Sequence, residues 1–148
     1  MRKPIPLQVL LVEDNFGDVR LTQEAFKNVE IPIQLHVAPD GGEAIAFLRN
    51  EGEHKNAPRP DLLLLDLNLP KMHGHDVLAL IKKDESLKSI PTVILTTSQE
   101  EADVTQTYQL QANCYLSKPV QLEAFETLVK NISDFWLTTL KLPQRQSG

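Results

Sequence analysis

Cysteine is nearly absent from this chain: Cys114 stands alone, so no internal disulfide can form and a reducing compartment suits the protein. Its position inside an apolar segment gives it the character of a packed thiol. Basic residues are too few to build a nucleic-acid surface, since 15 lysines and arginines face 20 acids, leaving a net charge of -5 and no basic stripe. DNA contacts are therefore not expected. Long apolar runs are missing as well. Met1-Arg2-Lys3 has the charge of a secretory n-region, but the apolar stretch Leu7 to Val12 is too short and runs straight into acids. No other segment could span a membrane, so the expected location is the cytoplasm. There is no internal repeat and no low-complexity tract. The 148 residues suit a single domain, 1–148, with Pro143 to Gly148 as a frayed tail.

What the chain does have is an apolar run that ends in a carboxylate. In Pro60-Asp61-Leu62-Leu63-Leu64-Leu65-Asp66-Leu67-Asn68-Leu69-Pro70, four consecutive leucines show neither alternation nor helical spacing, and the flanking prolines limit the run to strand length. Such a strand is buried on both faces, as in the middle of a parallel sheet. Ligands of open α/β sheets bind outside the carboxyl ends of the strands, so Asp66 is presented to a site.

The rest of the chain alternates in the same manner. Val9 to Val12 is a second apolar strand, also ending in acids, Glu13 and Asp14. Val19, Thr22, Phe26 and Val29 then fall on one helical face, and Pro32 closes that helix. Gln34 to Ala38 alternates polar and apolar residues, as an edge strand does, and Asp40-Gly41-Gly42 leads into a helix carrying Ala44, Ile45 and Leu48. Glu51 to Arg59 reads as an exposed loop, longer than is usual between a helix and a strand. A third helix is expected over Asp76 to Asp84, with Val77, Leu78 and Ile81 inward, followed by a strand Thr92 to Leu95 ending in Thr96-Thr97-Ser98. Ser98 and Glu101 have capping-box spacing for a fourth helix carrying Ala102, Val104 and Tyr108. Asn113 to Leu116 is a fifth strand, ending in Ser117-Lys118-Pro119, and Leu122, Phe125, Leu128, Val129 and Ile132 mark a fifth helix. Strict βα alternation with right-handed crossovers predicts a doubly wound five-stranded parallel sheet of order 2-1-3-4-5.

That order gathers Glu13, Asp14, Asp66, Thr96 and Lys118 on one rim. The acid pair alone could simply begin the first helix, where acids favour the dipole, and Lys118 alone could be a solvated surface residue. Together, three carboxylates in one cleft repel each other unless a cation lies among them. A hard divalent ion answers that need, and Mg²⁺ suits it, since it binds through one or two carboxylates plus a phosphate oxygen and keeps several waters. A lysine and a threonine hydroxyl on the same rim supply what phosphoryl transfer requires, and Asp66 is the candidate nucleophile. Asn68, two residues on, could reach the metal through its backbone carbonyl.

These residues resemble the response-regulator receiver domains of two-component signalling, with the flavodoxin-like and CheY-like fold, over almost the whole chain. The resemblance rests on Glu13-Asp14, on Asp66 within Leu-Leu-Asp-Leu-Asn-Leu-Pro, on Thr96 and on Lys118-Pro119, in family order and with family-like separations. It implies phosphorylation of Asp66 by a histidine kinase, with Mg²⁺ held by Glu13, Asp14, Asp66 and the carbonyl of Asn68. Thr96 and Lys118 would bind the phosphoryl group, Tyr115 would be the switch aromatic, and the Lys118-Pro119 bond would be cis. A receiver of this kind is a signalling phosphoacceptor and catalyses only its own phosphorylation and dephosphorylation. The Glu51 to Arg59 loop, the Asn113-Cys114-Tyr115 triplet and the aromatic end of the fifth helix are similar to cyanobacterial regulators that serve phytochrome histidine kinases.

Two positions depart from the family pattern. Thr97 stands where a smaller residue is usual, which would restrict access to Asp66 or slow loss of its phosphate. His73 replaces an acid before Gly74; with His75 it could suggest a second metal, but the two read as exposed loop histidines without a role. Beyond Ile132, Phe135, Trp136, Leu137 and Leu140 exceed what one helix face can bury, which suggests a homodimer; the alternative is that this extension folds back on its own sheet. Three competing readings of the site are a Mg²⁺-dependent phosphatase-like enzyme with an Asp nucleophile, a flavin carrier, and a receiver-shaped scaffold that is never phosphorylated. Against the first, Asp66 is followed by Leu67-Asn68 and not by the Asp-x-Asp such enzymes carry, and no insertion is large enough for a substrate cap. Against the second, Glu13-Asp14 puts negative charge where a cofactor phosphate needs donors.

Overall fold

A computed structural model describes residues 6–27, 32–67, 69, 72–96 and 114–117, together with positions 123 and 127. The elements follow the expected alternation. They are β1 (Leu7–Val12), α1 (Phe16–Lys27), β2 (Ile33–Ala38), α2 (Gly41–Arg49), β3 (Leu62–Asp66), α3 (Gly74–Lys83), β4 (Thr92–Thr96) and β5 (Cys114–Ser117). All five strands are parallel in one sheet of order β2-β1-β3-β4-β5. The segment expected to hold the fourth helix lies outside the described residues. For the fifth, Glu123 and Thr127 are helical and exposed, one turn apart on a polar face.

The leucine run behaves as a strand covered on both sides must. Leu62 and Leu64 join Leu7, Val9, Leu11, Phe26, Val93 and Leu95 in the core beneath α1. Leu63 and Leu65 point the other way, into a core with Leu10, Val12 and Ile94 and with α2 and α3 through Ala44, Val77, Leu78 and Ile81. A period of two thus makes two cores from one unbroken apolar stretch. Asp61, just before β3, is structural: its backbone N–H donates to the Gln8 carbonyl and its Oδ2 accepts from the Gln8 amide at 2.9 Å, tying β3 to β1.

The edge strand differs from simple alternation. Ile33 and Leu35 pack against the α1-side core, but Val37 on the same face is 40% exposed. His36, on the polar face, packs in a tilted arrangement against Phe47 of α2 at a centroid distance of 5.2 Å and meets Gln8 Oε1 at 2.7 Å. Partial burial lowers its pKa. The Glu51 to Arg59 segment is also more ordered than its polar composition suggests. Asn50 ends α2 in the left-handed region at φ 56°. Its side-chain amide donates to the carbonyls of His54 and Ala57, closing a 3₁₀ turn over Gly52–His54. His54 packs at a tilt against Phe47 and reaches Glu43 at 3.2 Å, so the loop is fastened to α2.

Helix α3 begins two residues earlier than its apolar spacing indicates and ends against Asp84. The Asp84 carboxylate accepts from the Ser86 hydroxyl and the Ser86 amide and lies 3.7 Å from Arg49 Nε. These donors, the Ser86 hydroxyl first, hold its pKa below the ordinary value. A lowered carboxyl pKa contributes stability above the unfolded value, near pH 4, and that contribution is lost as pH falls through the folded value. In chemical denaturation, Asp84→Asn is expected to be less stable than wild type by a constant margin at neutral pH, and the margin should shrink below about pH 4. A margin that widens on acidification would contradict this assignment.

Candidate metal centre

β1 and β3 are neighbours, and their register pairs Val12 with Leu65. One step further along each chain come Glu13 and Asp66, so the ladder itself brings these two carboxylates side by side. Glu13 remains in the sheet, its amide donating to the Ala38 carbonyl at 3.0 Å. Its side chain turns back under the loop, where Oε2 accepts from the Asn15 amide at 3.2 Å. Glu13 and Asp66 are 2% and 1% exposed, whereas Asp14 is open to solvent. The acid pair does not begin the helix. Asn15 does, with Oδ1 accepting from the Asp18 amide at 3.0 Å, and α1 starts only at Phe16.

Carboxylate oxygens of Glu13, Asp14 and Asp66 lie within 4.8 Å of one another. Two like charges at such a distance repel by roughly 3–4 kcal/mol at an effective dielectric near 20, and by about 1 kcal/mol where water screens them, as it does the exposed Asp14. A cation among them converts that repulsion into binding energy. The donors are all carboxylate oxygens, with no imidazole or thiolate in the cluster, and a set of that chemistry fits a hard divalent ion such as Mg²⁺, Mn²⁺ or Ca²⁺. The solvent-facing position of Asp14 leaves the site approachable from the rim.

The remaining expected residues are placed less fully. Thr96 ends β4, one residue beyond Leu95, which pairs with Asp66. Tyr115 pairs with Ile94, and Ser117 with Thr96, at the end of β5. The backbone therefore brings β4 and β5 to the same rim, while the side chains of Thr96 and Tyr115 are outside the description. Asn68, Thr97, Lys118 and Pro119 lie outside the described residues, as do Phe135, Trp136, Leu137 and Leu140. The two histidines are not part of the acid cluster. His73 is the N-cap of α3, its Nδ1 accepting from the His75 amide at 3.1 Å, and the two rings stack at 4.7 Å. His73 is exposed as expected; His75 is half-buried within the helix, because α3 starts before it. Sequence reasoning missed Gly74 between them. Its amide donates to the Leu67 carbonyl at 3.0 Å, directly behind Asp66.

The family model described as response regulator receiver domain matches residues 9–130. The response regulator Rcp1 of Synechocystis is 50% identical over 138 residues, which cover 93% of this chain and 94% of that protein. Among solved structures, the phosphorylated cyanobacterial phytochrome response regulator RcpA aligns with a TM-score of 0.80 at 50% identity, over 91% of this chain and 96% of that one. The Mn²⁺-bound form of Rcp1 aligns with a TM-score of 0.79, also at 50% identity, over 93% and 99% of the two chains.

Removing one of the three charges has opposite effects with and without metal. In chelator, Asp14→Asn is expected to melt a few degrees above wild type, because about 1 kcal/mol of relieved repulsion moves the midpoint of a 150-residue domain by roughly 2–4 °C. At a Mg²⁺ concentration 100 times its dissociation constant the wild type should gain about 2.7 kcal/mol, and the variant much less. Thermal scans in both conditions test this; a variant that follows wild type in each would contradict the shared cation site.

Proposed function

We propose, because this chain belongs to the response regulator receiver domain family, that it accepts a phosphoryl group on Asp66 from a histidine kinase and signals through the resulting change of conformation. The observation that carries the reading is the convergence of Glu13, Asp14 and Asp66 at adjacent strand ends, within 4.8 Å. In the transfer, an Asp66 carboxylate oxygen attacks phosphorus, the P–N bond to the kinase histidine breaks, and the imidazole leaves with its electron pair. A bound Mg²⁺ would neutralise the charge on the phosphoryl oxygens and on the carboxylates around them. Glu13, Asp14 and Asp66 would hold it with the Asn68 carbonyl, Thr96 would donate its hydroxyl to a phosphoryl oxygen, and Lys118 would pair with another. Tyr115 would change rotamer as Thr96 moves toward the phosphate, and partners would distinguish the two states. The outcome is a binding signal rather than turnover of a separate substrate.

The proposed kinase is a phytochrome. The 50% identity to the phytochrome response regulator RcpA over nine-tenths of the chain supports that choice. Among the described residues no helix is long and apolar enough to cross a membrane, which is compatible with a cytoplasmic partner. We further propose a homodimer through Phe135, Trp136, Leu137 and Leu140, supported by adjacent bulky residues that one helix face cannot bury. If so, Trp136→Ala should lower the mass in solution at micromolar concentration, and a mass equal to wild type at every concentration rules the interface out.

Phosphorylation is tested by intact-mass analysis after incubation with acetyl phosphate and Mg²⁺. Wild type should gain one base-labile phosphoryl group, and neither Asp66→Asn nor a chelator-treated sample should gain any. Labelling that persists in Asp66→Asn would move the acceptor elsewhere. No labelling of wild type would favour a scaffold that works unphosphorylated.

A further inference from the structure

Gly74 opens α3 immediately behind the strand end that carries Asp66. An ideal Cβ placed on it would lie 2.5 Å from the Asp66 carbonyl oxygen, 2.6 Å from Leu67 Cα and 3.0 Å from Leu67 Cδ2. Real Cβ atoms essentially never come within 3.0 Å of such neighbours, and two of the three are main-chain atoms that no rotamer change can move. The need for glycine here is spatial and not conformational, since Gly52 is the one glycine with positive φ among the described residues. On propensity alone, alanine would improve a helix by up to about 1 kcal/mol.

Leu67 is also gripped through its own backbone groups. The Leu67 amide donates to the Leu95 carbonyl of β4 at 2.9 Å, while the Leu67 carbonyl accepts from the Gly74 amide at 3.0 Å. Leu67 is thus clamped between β4, which holds the amide of the Asp66–Leu67 peptide, and the first turn of α3, which holds the carbonyl of the next peptide, and the Asp66 side chain leaves the backbone immediately before that clamp. We infer that Gly74 is a positioning residue for the chemistry at Asp66: its missing side chain lets α3 bear directly on the Asp66–Leu67 peptide and sets where the carboxylate stands against Glu13 and Asp14. The inference rests on the proposed role of Asp66 for its catalytic part, and on the acid cluster alone for its metal-binding part.

A useful contrast lies nearby. A Cβ on Gly41, at the start of α2, would meet Val77 Cγ2 at 2.7 Å and Met72 Cβ and Sδ at 3.2 Å, all side-chain atoms. None of them belongs to the backbone next to Asp66, so the adjustment they require falls on the packing of α2 against Met72 and Val77. Gly41→Ala should therefore disturb packing, and Gly74→Ala should disturb the site, because a displacement near 1 Å at a reacting group can lower a rate by about 100-fold.

The experiment compares wild type, Gly41→Ala and Gly74→Ala by three measurements: thermal midpoint, Mg²⁺ affinity by calorimetry, and the acetyl phosphate labelling rate at saturating Mg²⁺. Gly74→Ala is expected to bind Mg²⁺ at least fivefold more weakly and to label at least tenfold more slowly, with Gly41→Ala within twofold of wild type in both. If Gly74→Ala keeps wild-type Mg²⁺ affinity, or if Gly41→Ala loses as much as it does, the inference is overturned and Gly74 only packs. Should wild type itself not label, the role of Asp66 as acceptor fails, and the Mg²⁺ affinities alone decide on Gly74. If Gly74→Ala does not fold in buffer, the three proteins are compared by the same criteria in trimethylamine N-oxide, which favours the folded state; a variant that stays unfolded there shows Gly74 to be a packing requirement and overturns the inference.

Discussion

Three carboxylates held at the ends of two adjacent strands are the constraint on which the rest of this structure depends. Glu13 and Asp66 are nearly inaccessible to water, and the exposed Asp14 completes the group on its solvent side. Such a group is unfavourable in isolation and favourable around a cation, so the fold keeps an unstable arrangement ready for a ligand. Its persistence requires strands that cannot shift. The parallel ladder provides this, because a slip of one residue would send Leu62 and Leu64 into the wrong core and expel Asp66 from the site.

The framework around the site divides its tasks among the elements. Sheet pairing sets the spacing of Glu13 and Asp66, Asn15 turns the chain away from the acids into α1, and Leu67, next to Asp66, is held between β4 and α3. The loop after α2 lies apart from this rim. Its ties run through Asn50, Phe47 and His54 to α2 and the edge strand, so its length does not loosen the site.

Much of this was legible in the chain. Four leucines in a row, bounded by prolines, imply a strand with two buried faces, and both faces are indeed filled. Two apolar strands each ending in acids imply a cluster once the strand order is known, and the order follows from one alternating, half-buried strand that belongs at the edge. What escaped was set by contacts between residues distant in sequence. Nothing local marks Gly74 as a spacer, because the atoms that exclude a side chain belong to Asp66 and Leu67, at and just beyond the end of β3. His36 looks solvent-facing until Phe47 of α2 is seen to cover it. His73 as a cap is local, but histidine is not among the residues that favour that position, and Asn50 fastens carbonyls four and seven residues on, which spacing alone does not announce.

The central claim is that Glu13, Asp14 and Asp66 form one divalent-cation site. Anomalous diffraction from crystals grown with Mn²⁺ tests it most directly. The account predicts a single strong manganese peak among these three carboxylates, about 2.0–2.6 Å from their oxygens. A peak elsewhere, with the cluster itself empty at saturating metal, would contradict it.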